Sequence, residues 1–293
     1  FLFNYFYLDN KFDLNITETN YNKMNFLLID TSYLIFYRYY ATLRWYSFAY
    51  KDDKFDNDYD WSVNSIFMEK FKCKFLETVL KIKKNYDIPL ENIIFCRDCS
   101  RKDIWRNKFF DTYKANREYE DNFSGSLIFK TVYEEILPEI IRDRKCKVLK
   151  HENLEGDDII FLTKNYIREK NKDNNIIIIA NDHDLLQLID SKTVIINLKE
   201  QKLNEKSLGS PELDLEVKII CGDKSDNIPP CFKNCGIKTA IKLINDRGLL
   251  KEKFRNNPSS LNIYAINKMI IDLNNIPIEL KESCLLKIEE LIN

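Results

Sequence analysis

The sequence has no long hydrophobic run, no excess of either charge and no regular cysteine spacing. Its most apolar stretch, residues 176–180, is too short to cross a bilayer. The eight cysteines follow no secretory segment or disulfide-scaffold pattern, which favours free thiols in a reducing compartment. Lysine and arginine number 45 against 46 aspartates and glutamates, so any nucleic-acid-binding surface must be local. We therefore expect an intracellular protein that neither enters a membrane nor depends on disulfide bonds.

What the sequence does contain is an alternation of strand and helix patterns. With 293 residues, 44% of them hydrophobic, the chain is long enough to bury a sizeable core. Five short apolar runs are typical of buried strands, at residues 26–29, 92–96, 146–150, 175–180 and 193–198. Helical patterns lie between them at 67–84, 126–142 and 157–170. The alternation predicts an α/β fold with a mostly parallel central sheet flanked by helices.

Three parts are expected along the chain. The first methionine, Met24, directly precedes an apolar strand, so residues 1–23 are interpreted as an N-terminal extension. Residues 24–210 would form the α/β core. From residue 211 the pattern becomes helix, turn-rich loop and helix, which predicts a helical subdomain with C-terminal helices over 211–293.

Acidic residues recur directly after the predicted strands. Asp30 and Asp98 follow the first two strands, and Asp182 and Asp184 follow the fourth. Because ligands of open α/β sheets bind outside the carboxyl ends of the strands, these side chains should converge on one crevice. Further acids stand at the spacing of one helix face or beside it: Glu155, Asp157, Asp158, Asp223 and Asp226.

Such crowded carboxylates repel one another unless cations neutralise them. Oxygen ligands without a thiolate or imidazole cage suit the hard cations Mg²⁺ and Mn²⁺. Two such ions about 3.5 to 4 Å apart are the basis of two-metal phosphodiester hydrolysis. The acids therefore indicate a phosphoryl-transfer enzyme.

The segment 97–117 is locally basic and contains the run TYKANR. If it is helical, Lys114 and Arg117 lie one turn apart on the same face, where their charges would grip a scissile phosphate. Tyr113, beside them, would stack on an unpaired base. The alternative is an ordinary solvated basic helix with a packed aromatic ring.

Six motifs stand in order over residues 26–245: LLIDTSYLIFYRYYA (27–41), IIFCRD (93–98), FFDTYKANR (109–117), LEGDD (154–158), IIIIANDHDLLQLI (176–189), and GDKSDNIPP with GIKTAIKLI (222–230 and 236–244). Together they resemble the structure-specific 5′ nucleases, the flap endonuclease and 5′-3′ exonuclease family found in phages and in bacterial DNA polymerase I. The resemblance implies a PIN-like sheet, a helical arch at about 99–125 and a C-terminal helix-hairpin-helix type subdomain that binds duplex DNA.

The resemblance also implies the site residues. Its metal ligands would be Asp30, Asp98, Glu155, Asp157, Asp158, Asp182, Asp184, Asp223 and Asp226. Catalytic roles would fall to Lys114, Arg117, Asp158 and Asp184, with two or three Mg²⁺ ions that Mn²⁺ can replace. DNA contacts would come from Tyr113, Lys114, Arg117, Asn234, Gly236, Lys238 and Thr239, with a potassium ion at the hairpin loop.

The hairpin loop departs from the family pattern at two positions. Pro230 stands where glycine is usual, and Asn234 replaces the first hairpin glycine. Asparagine tolerates the left-handed backbone conformation better than other non-glycine residues, so the turn is expected to persist.

The expected function is a Mg²⁺-dependent 5′-3′ exonuclease and flap endonuclease of DNA replication or repair, acting as a monomer on DNA with a 5′ flap or free 5′ end. A nuclease of RNA or RNA·DNA hybrids, a non-catalytic DNA-junction binder and a phosphatase of small esters stay open. The cysteines could serve as zinc ligands, but they form no clear four-ligand set, so buried thiols are preferred. His183 is interpreted as a packing residue, or as one that supports the neighbouring metal-binding acids, rather than as a general base.

Overall fold

The computed structural model describes residues 23–56, 58–116 and 125–292. In this part of the chain five parallel strands form one sheet, in the order β3-β2-β1-β4-β5. The strands are β1 (Asn25–Asp30), β2 (Ile93–Arg97), β3 (Lys147–Lys150), β4 (Asn175–Ile179) and β5 (Thr193–Ile196). This sheet confirms the predicted α/β class and parallel arrangement. The prediction succeeds because short runs of β-branched and aromatic residues bounded by polar ones mark buried strands well.

The sheet has its switch point at β1. The chain builds β2 and β3 on one side of β1 and then returns to place β4 and β5 on the other side. Leu27 pairs with Ile93 of β2 and with Ile177 of β4, so the three central strands end at the same edge. Such a switch point is where open parallel sheets form a crevice outside their carboxyl ends.

Helices cover both faces of the sheet, as a parallel sheet requires. In chain order they are α1 (Thr31–Ala49), α2 (Ser65–Asn85), α3 (Ser126–Thr131), α4 (Leu137–Arg144), α5 (Gly156–Lys170), α6 (Pro211–Cys221), α7 (Ile237–Asn245), α8 (Arg247–Asn256), α9 (Ser259–Ile271) and α10 (Ile278–Ile292). A π-helical turn at Val132–Ile136 joins α3 to α4.

The core divides into two layers because side chains alternate along β1. Leu28 belongs to the layer that includes residues of α5 and α10, whereas Leu27 and Ile29 belong to the layer that includes residues of α1, α2 and α4. All three side chains are fully buried. Burial on both faces fixes the position of β1, and with it the position of the acid that ends the strand.

The C-terminal helices pack in two places. Val217, Phe232 and Leu243 belong to a smaller apolar cluster built around α6 and α7. Helix α10 instead returns to α5, and Cys284 and Ile288 are part of the sheet core. The division of the chain at residue 210 therefore stays a proposal.

The predicted N-terminal extension, apart from Lys23, and the 117–124 portion of the predicted arch lie outside the described residues.

The structure bears on two further expectations, the absence of a membrane span and the state of the cysteines. No helix among the described residues has both the length and the apolar composition needed to cross a bilayer. All eight cysteines are free, and only Cys73 is exposed. Within the described ranges no cysteine belongs to a cluster of potential metal ligands, which agrees with the interpretation as buried thiols.

Candidate metal centre

Acids that end or follow the central strands meet at the carboxyl edge of the sheet. Asp30 ends β1 and caps α1, because its carboxylate accepts a hydrogen bond from the Tyr33 amide at 3.0 Å. Asp98 follows β2, and its Oδ1 accepts a hydrogen bond from the Gly156 amide at 2.6 Å. A Cβ on Gly156 would lie 3.2 Å from that oxygen, so glycine allows α5 to begin this close to Asp98. The edge therefore collects the strand-end acids, as the sequence predicts.

Asp157 and Asp182 join Asp30 and Asp98 in what we call the first acid group. Burial, followed by the charges of Asp98 and Asp182, raises the pKa of Asp30 to about 7. Burial, followed by the charges of Asp182 and Asp30, raises the pKa of Asp157 well above its ordinary value. In the described part of the chain no protein donor hydrogen-bonds the Asp157 carboxylate. The group is thus a concentration of negative charge that the protein leaves only partly compensated.

Asp184, Asp223 and Asp226 form the second acid group. One carboxylate oxygen from each lies within 4.8 Å of the others. Asp184 lies in the short 3-10 helix His183–Leu188 that follows β4, and its amide donates to Asp182 Oδ1 at 2.8 Å. This hydrogen bond connects the two acid groups through adjacent positions of one loop.

The turn after α6 brings in the other two acids of the second group. Gly222 has a φ of +67°, and a Cβ there would lie 2.4 Å from the carbonyl oxygen of Ile228, so only glycine fits. Asp223 and Ile228 then exchange backbone hydrogen bonds of 2.9 and 2.7 Å. The chain turns back within six residues and places Asp226, which is 4% exposed, against Tyr113 and Lys114.

Lys218 partly neutralises the second acid group, and the sequence analysis did not single it out. Its Nζ lies 2.5 Å from Asp184 Oδ1 and 2.5 Å from Asp223 Oδ2. At Asp184, burial and the negative charge of Asp182 outweigh the stabilising charge of Lys218 and raise the pKa of the Asp184 carboxyl to about 7. At Asp223 burial is outweighed by hydrogen bonds from Lys218 and Ser225, which lower the pKa. The sequence signal that could have indicated this role was a lysine among apolar residues near the end of α6.

Asp158 does not face the other acids, contrary to the sequence prediction. It is fully buried, and its Oδ2 accepts hydrogen bonds from Trp105 Nε1 at 3.0 Å and from Arg106 Nη1 at 2.9 Å. Its Oδ1 accepts from Arg106 Nη2 at 2.7 Å. The Glu155 amide also donates to Asp158 at 3.0 Å, which completes a capping box at the start of α5. These contacts give the fully buried Asp158 a positioning role at the start of α5, and its predicted metal-binding and catalytic roles stay predictions.

Arg106 is a second residue that the sequence analysis missed. It is 4% exposed and donates to Glu155 Oε2 at 2.8 Å and to the Ile270 carbonyl at 2.7 Å, in addition to its two bonds to Asp158. Burial opposes ionisation of Glu155, but the charges of Lys114 and Arg106 outweigh it and lower the pKa of Glu155 to about 2. The basic segment was recognised in the sequence, but residue type alone does not distinguish a buried arginine from one that binds phosphate.

The Tyr113 ring is not available for base stacking, and that prediction is corrected. Its side chain is 7% exposed and packs with Ile104 and Ile228. The hydroxyl lies 3.1 Å from Glu155 Oε2 and 3.2 Å from Asp226 Oδ2. Tyr113 therefore bridges an acid at the start of α5 and an acid of the second group.

Lys114 lies beside the acids, but a turn rather than the predicted helix presents it. Residues 111–116 form turns, and Lys114 has a φ of 57°, so the predicted helical face does not exist at this residue. Its amide donates to the Asp226 carbonyl at 2.8 Å, while its ammonium group contacts Glu155 and lies 3.7 Å from Asp226 Oδ2. Arg117, its predicted partner, lies outside the described residues.

The predicted hairpin loop precedes α7. Asn234 has a φ of 57°, which confirms that asparagine adopts the left-handed conformation in place of glycine. Gly236 caps α7, and Lys238 and Thr239 are exposed in its first turn. The DNA contacts of these residues stay predictions.

The second acid group offers a donor set that fits hard divalent cations. Its ligands are carboxylate oxygens, and within the described residues it contains neither histidine nor cysteine. His183, between Asp182 and Asp184 in the sequence, is exposed and outside that group. Oxygen-only donors of high negative charge favour Mg²⁺ or Mn²⁺ over metals that prefer nitrogen or sulfur.

The raised pKa values predict that the metal-free protein loses stability as the pH rises. Asp30, Asp157 and Asp184 hold protons in the folded state at pH values where the unfolded chain, with an aspartate pKa near 4, has released them. Their contribution is present below about pH 4 and is lost as the pH rises, through about 7 for Asp30 and Asp184. Glu155 and Asp223, with lowered pKa values, act oppositely, but only as the pH falls below about 4.5.

We therefore expect the melting temperature in chelator to fall as the pH rises from 5 to 8. Added Mg²⁺ should raise the melting temperature more at pH 8 than at pH 5. Asp157→Asn should flatten the pH dependence in chelator. Thermal denaturation followed by circular dichroism measures both effects. A wild-type curve that rises between pH 5 and 8, with an unchanged curve for the variant, would contradict the assignment of charge to these groups.

Comparisons with known proteins agree with this geometry. A family model described as the 5′-3′ exonuclease, N-terminal resolvase-like domain matches residues 25–213. The chain is similar to the 5′-3′ exonuclease of Buchnera aphidicola subsp. Schizaphis graminum, with 31% identity over 190 residues, and the match covers 62% of this chain and 61% of that protein. It is also similar to the 5′-3′ exonuclease of Mycoplasmopsis pulmonis, with 30% identity over 248 residues, covering 82% of this chain and 72% of that protein. The chain thus spans about three fifths of the Buchnera protein.

Solved structures show the same fold. A T5 5′-exonuclease with bound divalent zinc aligns with a TM-score of 0.66 and 15% identity, covering 92% of this chain and 100% of that chain. A T5 flap endonuclease variant in a pseudo-enzyme-product complex with DNA and metal ions aligns with a TM-score of 0.62 and 14% identity, covering 92% and 99% of the two chains.

Proposed function

The chain belongs to the 5′-3′ exonuclease N-terminal, resolvase-like domain family, and on that basis we propose that it is a divalent-metal-dependent nuclease that hydrolyses DNA near a 5′ end or at a 5′ flap junction. The observation that carries this proposal is the meeting of two acid groups from distant parts of the sequence at the switch point of the sheet. A DNA-binding protein without catalysis has no use for so much uncompensated charge, because the carboxylates destabilise the fold that holds them.

Magnesium ions are the proposed cofactors, two or three in number, with manganese able to replace them. The first acid group with Glu155 would hold one ion, and the second acid group would hold another. When bound, the ions would supply a water of lowered pKa and stabilise the charge that develops on the phosphate. Asp158, Trp105 and Arg106 would hold the start of α5 and Glu155 in place for them.

Lys114 is the proposed electrostatic partner of the scissile phosphate. Its side chain is only 15% exposed, and the turn that contains it already orients the ammonium group towards the acids. A fixed positive charge at this position would stabilise the negative charge of the transition state. We assign the same role to Arg117, following the family pattern.

The substrate is proposed to be DNA whose shape, rather than sequence, is recognised. The hairpin loop before α7 would hold the phosphates of a duplex through backbone groups and a potassium ion, and phosphate contacts carry no base information. The single-stranded 5′ end would pass through or beneath residues 99–125. The T5 flap endonuclease relative crystallised with DNA and metal ions supports this assignment.

End-labelled flap, nicked and blunt DNA, incubated with Mg²⁺ or with chelator, tests the proposal. We expect Mg²⁺-dependent release of short 5′ fragments from the flap and nicked substrates, and none in chelator. Faster cleavage of a matched RNA flap would favour the RNA nuclease. Tight binding without cleavage would favour the junction binder, and hydrolysis of a chromogenic phosphate monoester alone would favour the phosphatase.

A further inference from the structure

Lys218 occupies an unusual position for a lysine in a site expected to bind divalent cations. It lies in the last turn of α6, between the apolar residues Val217 and Ile219, and its side chain is 23% exposed. The ammonium nitrogen makes contacts of the same length, 2.5 Å, to Asp184 and to Asp223. The lysine thus joins two of the three acids that make up the second acid group.

The remaining contacts of these acids show what holds them together. Asp223 Oδ1 accepts hydrogen bonds of 2.7 Å from both the amide and the hydroxyl of Ser225. Asp226 accepts a hydrogen bond from Tyr113 and lies near Lys114. Apart from Asp184 and Asp223, the described residues give Lys218 no other acidic partner. The three carboxylates carry three negative charges, and Lys218 is the cation that directly joins Asp184 to Asp223.

A lysine in this position and a divalent cation draw on the same two carboxylates. The Lys218 ammonium group lies on Asp184 Oδ1 and Asp223 Oδ2, and a metal ion bound by the second acid group requires oxygens from the same two residues. Two cations that close repel each other strongly in a partly buried site, because solvent screening there is weak. Binding of the metal therefore requires the ammonium group to move away or weakens the hold of the acids on the metal.

We propose that Lys218 is a resident counter-cation that stabilises the second acid group without metal, competes with the divalent cation for Asp184 and Asp223, and so sets the metal affinity of this group. The inference rests on the proposed function, since it requires that the acids bind metal. It makes Lys218 a positioning residue that keeps the second acid group assembled at low metal concentration. The cost is weaker metal binding.

Mn²⁺ titration of the full chain by isothermal calorimetry, without DNA, tests this inference. Lys218→Met keeps the length of the side chain and removes its charge, so we expect one class of Mn²⁺ sites to bind at least about tenfold more tightly, which is 1.4 kcal/mol. Lys218→Arg keeps the charge and should leave the affinity near that of the wild type. Lys206→Met, at an exposed lysine away from the acids, is the matched control.

The direction of the change separates competition from a purely structural role. If Lys218 only held the acids in place, Lys218→Met would bind Mn²⁺ more weakly, and that result or an unchanged affinity would overturn the inference. In chelator the Lys218→Met protein should melt at a lower temperature than the wild type, and Mn²⁺ should raise its melting temperature by more. If this variant does not fold in chelator, folding on addition of Mn²⁺ supports the inference, and failure to fold with Mn²⁺, repeated with Lys218→Gln, contradicts it. Absence of Mn²⁺ binding by the wild type would instead reject the proposed function.

Discussion

Asp157→Asn is expected to reduce cleavage of a 5′-flap DNA roughly a thousandfold or more, which corresponds to several kcal/mol of lost transition-state stabilisation. The same substitution should make the metal-free protein more stable at pH 8, because the carboxylate of Asp157 is held among Asp182, Asp30 and Asp98 without a hydrogen-bond donor from the described residues. Loss of activity combined with a gain in stability is the signature of a charge kept for function. Single-turnover cleavage in Mg²⁺ and thermal denaturation in chelator measure the two effects.

Two controls make this prediction specific. Asp173→Asn changes an exposed aspartate outside both acid groups and should alter neither activity nor stability appreciably. Asp184→Asn should lower cleavage to a similar extent, because it removes a ligand of the second acid group. Both Asp157→Asn and Asp184→Asn should bind flap DNA in chelator within a few-fold of the wild type. Retained turnover in either variant would remove the basis for assigning metals to these residues.

Arg106→Met is expected to lower the free energy of unfolding by about 3 to 5 kcal/mol, because it leaves the buried carboxylate of Asp158 without its charged partner. Arg106 donates two hydrogen bonds to Asp158, one to Glu155 and one to the Ile270 carbonyl at the end of α9. Its loss therefore disturbs the start of α5 and the contact between the sheet core and the C-terminal helices together. Urea denaturation measures the change.

The surface pair Arg142 and Asp143 provides the matched control for this prediction. Arg142 is exposed and contacts Asp143 at 2.8 Å, so Arg142→Met should leave the stability close to that of the wild type. Arg106→Met combined with Asp158→Asn should recover part of the lost stability, because the second substitution removes the unpaired charge. A stability of Arg106→Met close to the wild type would show that this network does not hold the site together.

Residues whose position follows from the sheet could be predicted from the sequence. Asp30 and Asp98 lie where the sequence places them, because a buried parallel strand fixes the direction and edge of the acid that follows it. The same holds for Asp182 and Asp184 after β4. Asn234 was also predictable, since a left-handed turn permits few residue types.

Residues whose role depends on contacts between distant segments could not be predicted in this way. Asp158 stands one position after Asp157, yet it turns inward to the side chains of Trp105 and Arg106, which lie about 50 positions earlier in the sequence and bind both of its oxygens. Tyr113 is an aromatic residue in a basic segment, and only the packing shows that its hydroxyl faces acids rather than solvent. In each case the missing information was a tertiary partner.

The same limit applies to the two cations that the structure adds to the site. The partners of Arg106 and Lys218 lie 52 and 34 positions away in the sequence, at Asp158 and Asp184 respectively. Lys114, although predicted, reaches the acids from a left-handed turn and not from a helical face. Local pattern predicts secondary structure, whereas the pairing of buried charges is decided by how the elements pack.

The most direct test of the account is to locate Mn²⁺ by anomalous X-ray scattering in crystals of the wild-type protein and of Asp157→Asn. We predict one manganese among Asp30, Asp98, Asp157 and Asp182 and a second among Asp184, Asp223 and Asp226, with the first lost or weakened in the variant. Crystals in which manganese occupies neither group, although the protein is folded and the ion is in excess, would contradict the claim that these acids form a metal centre.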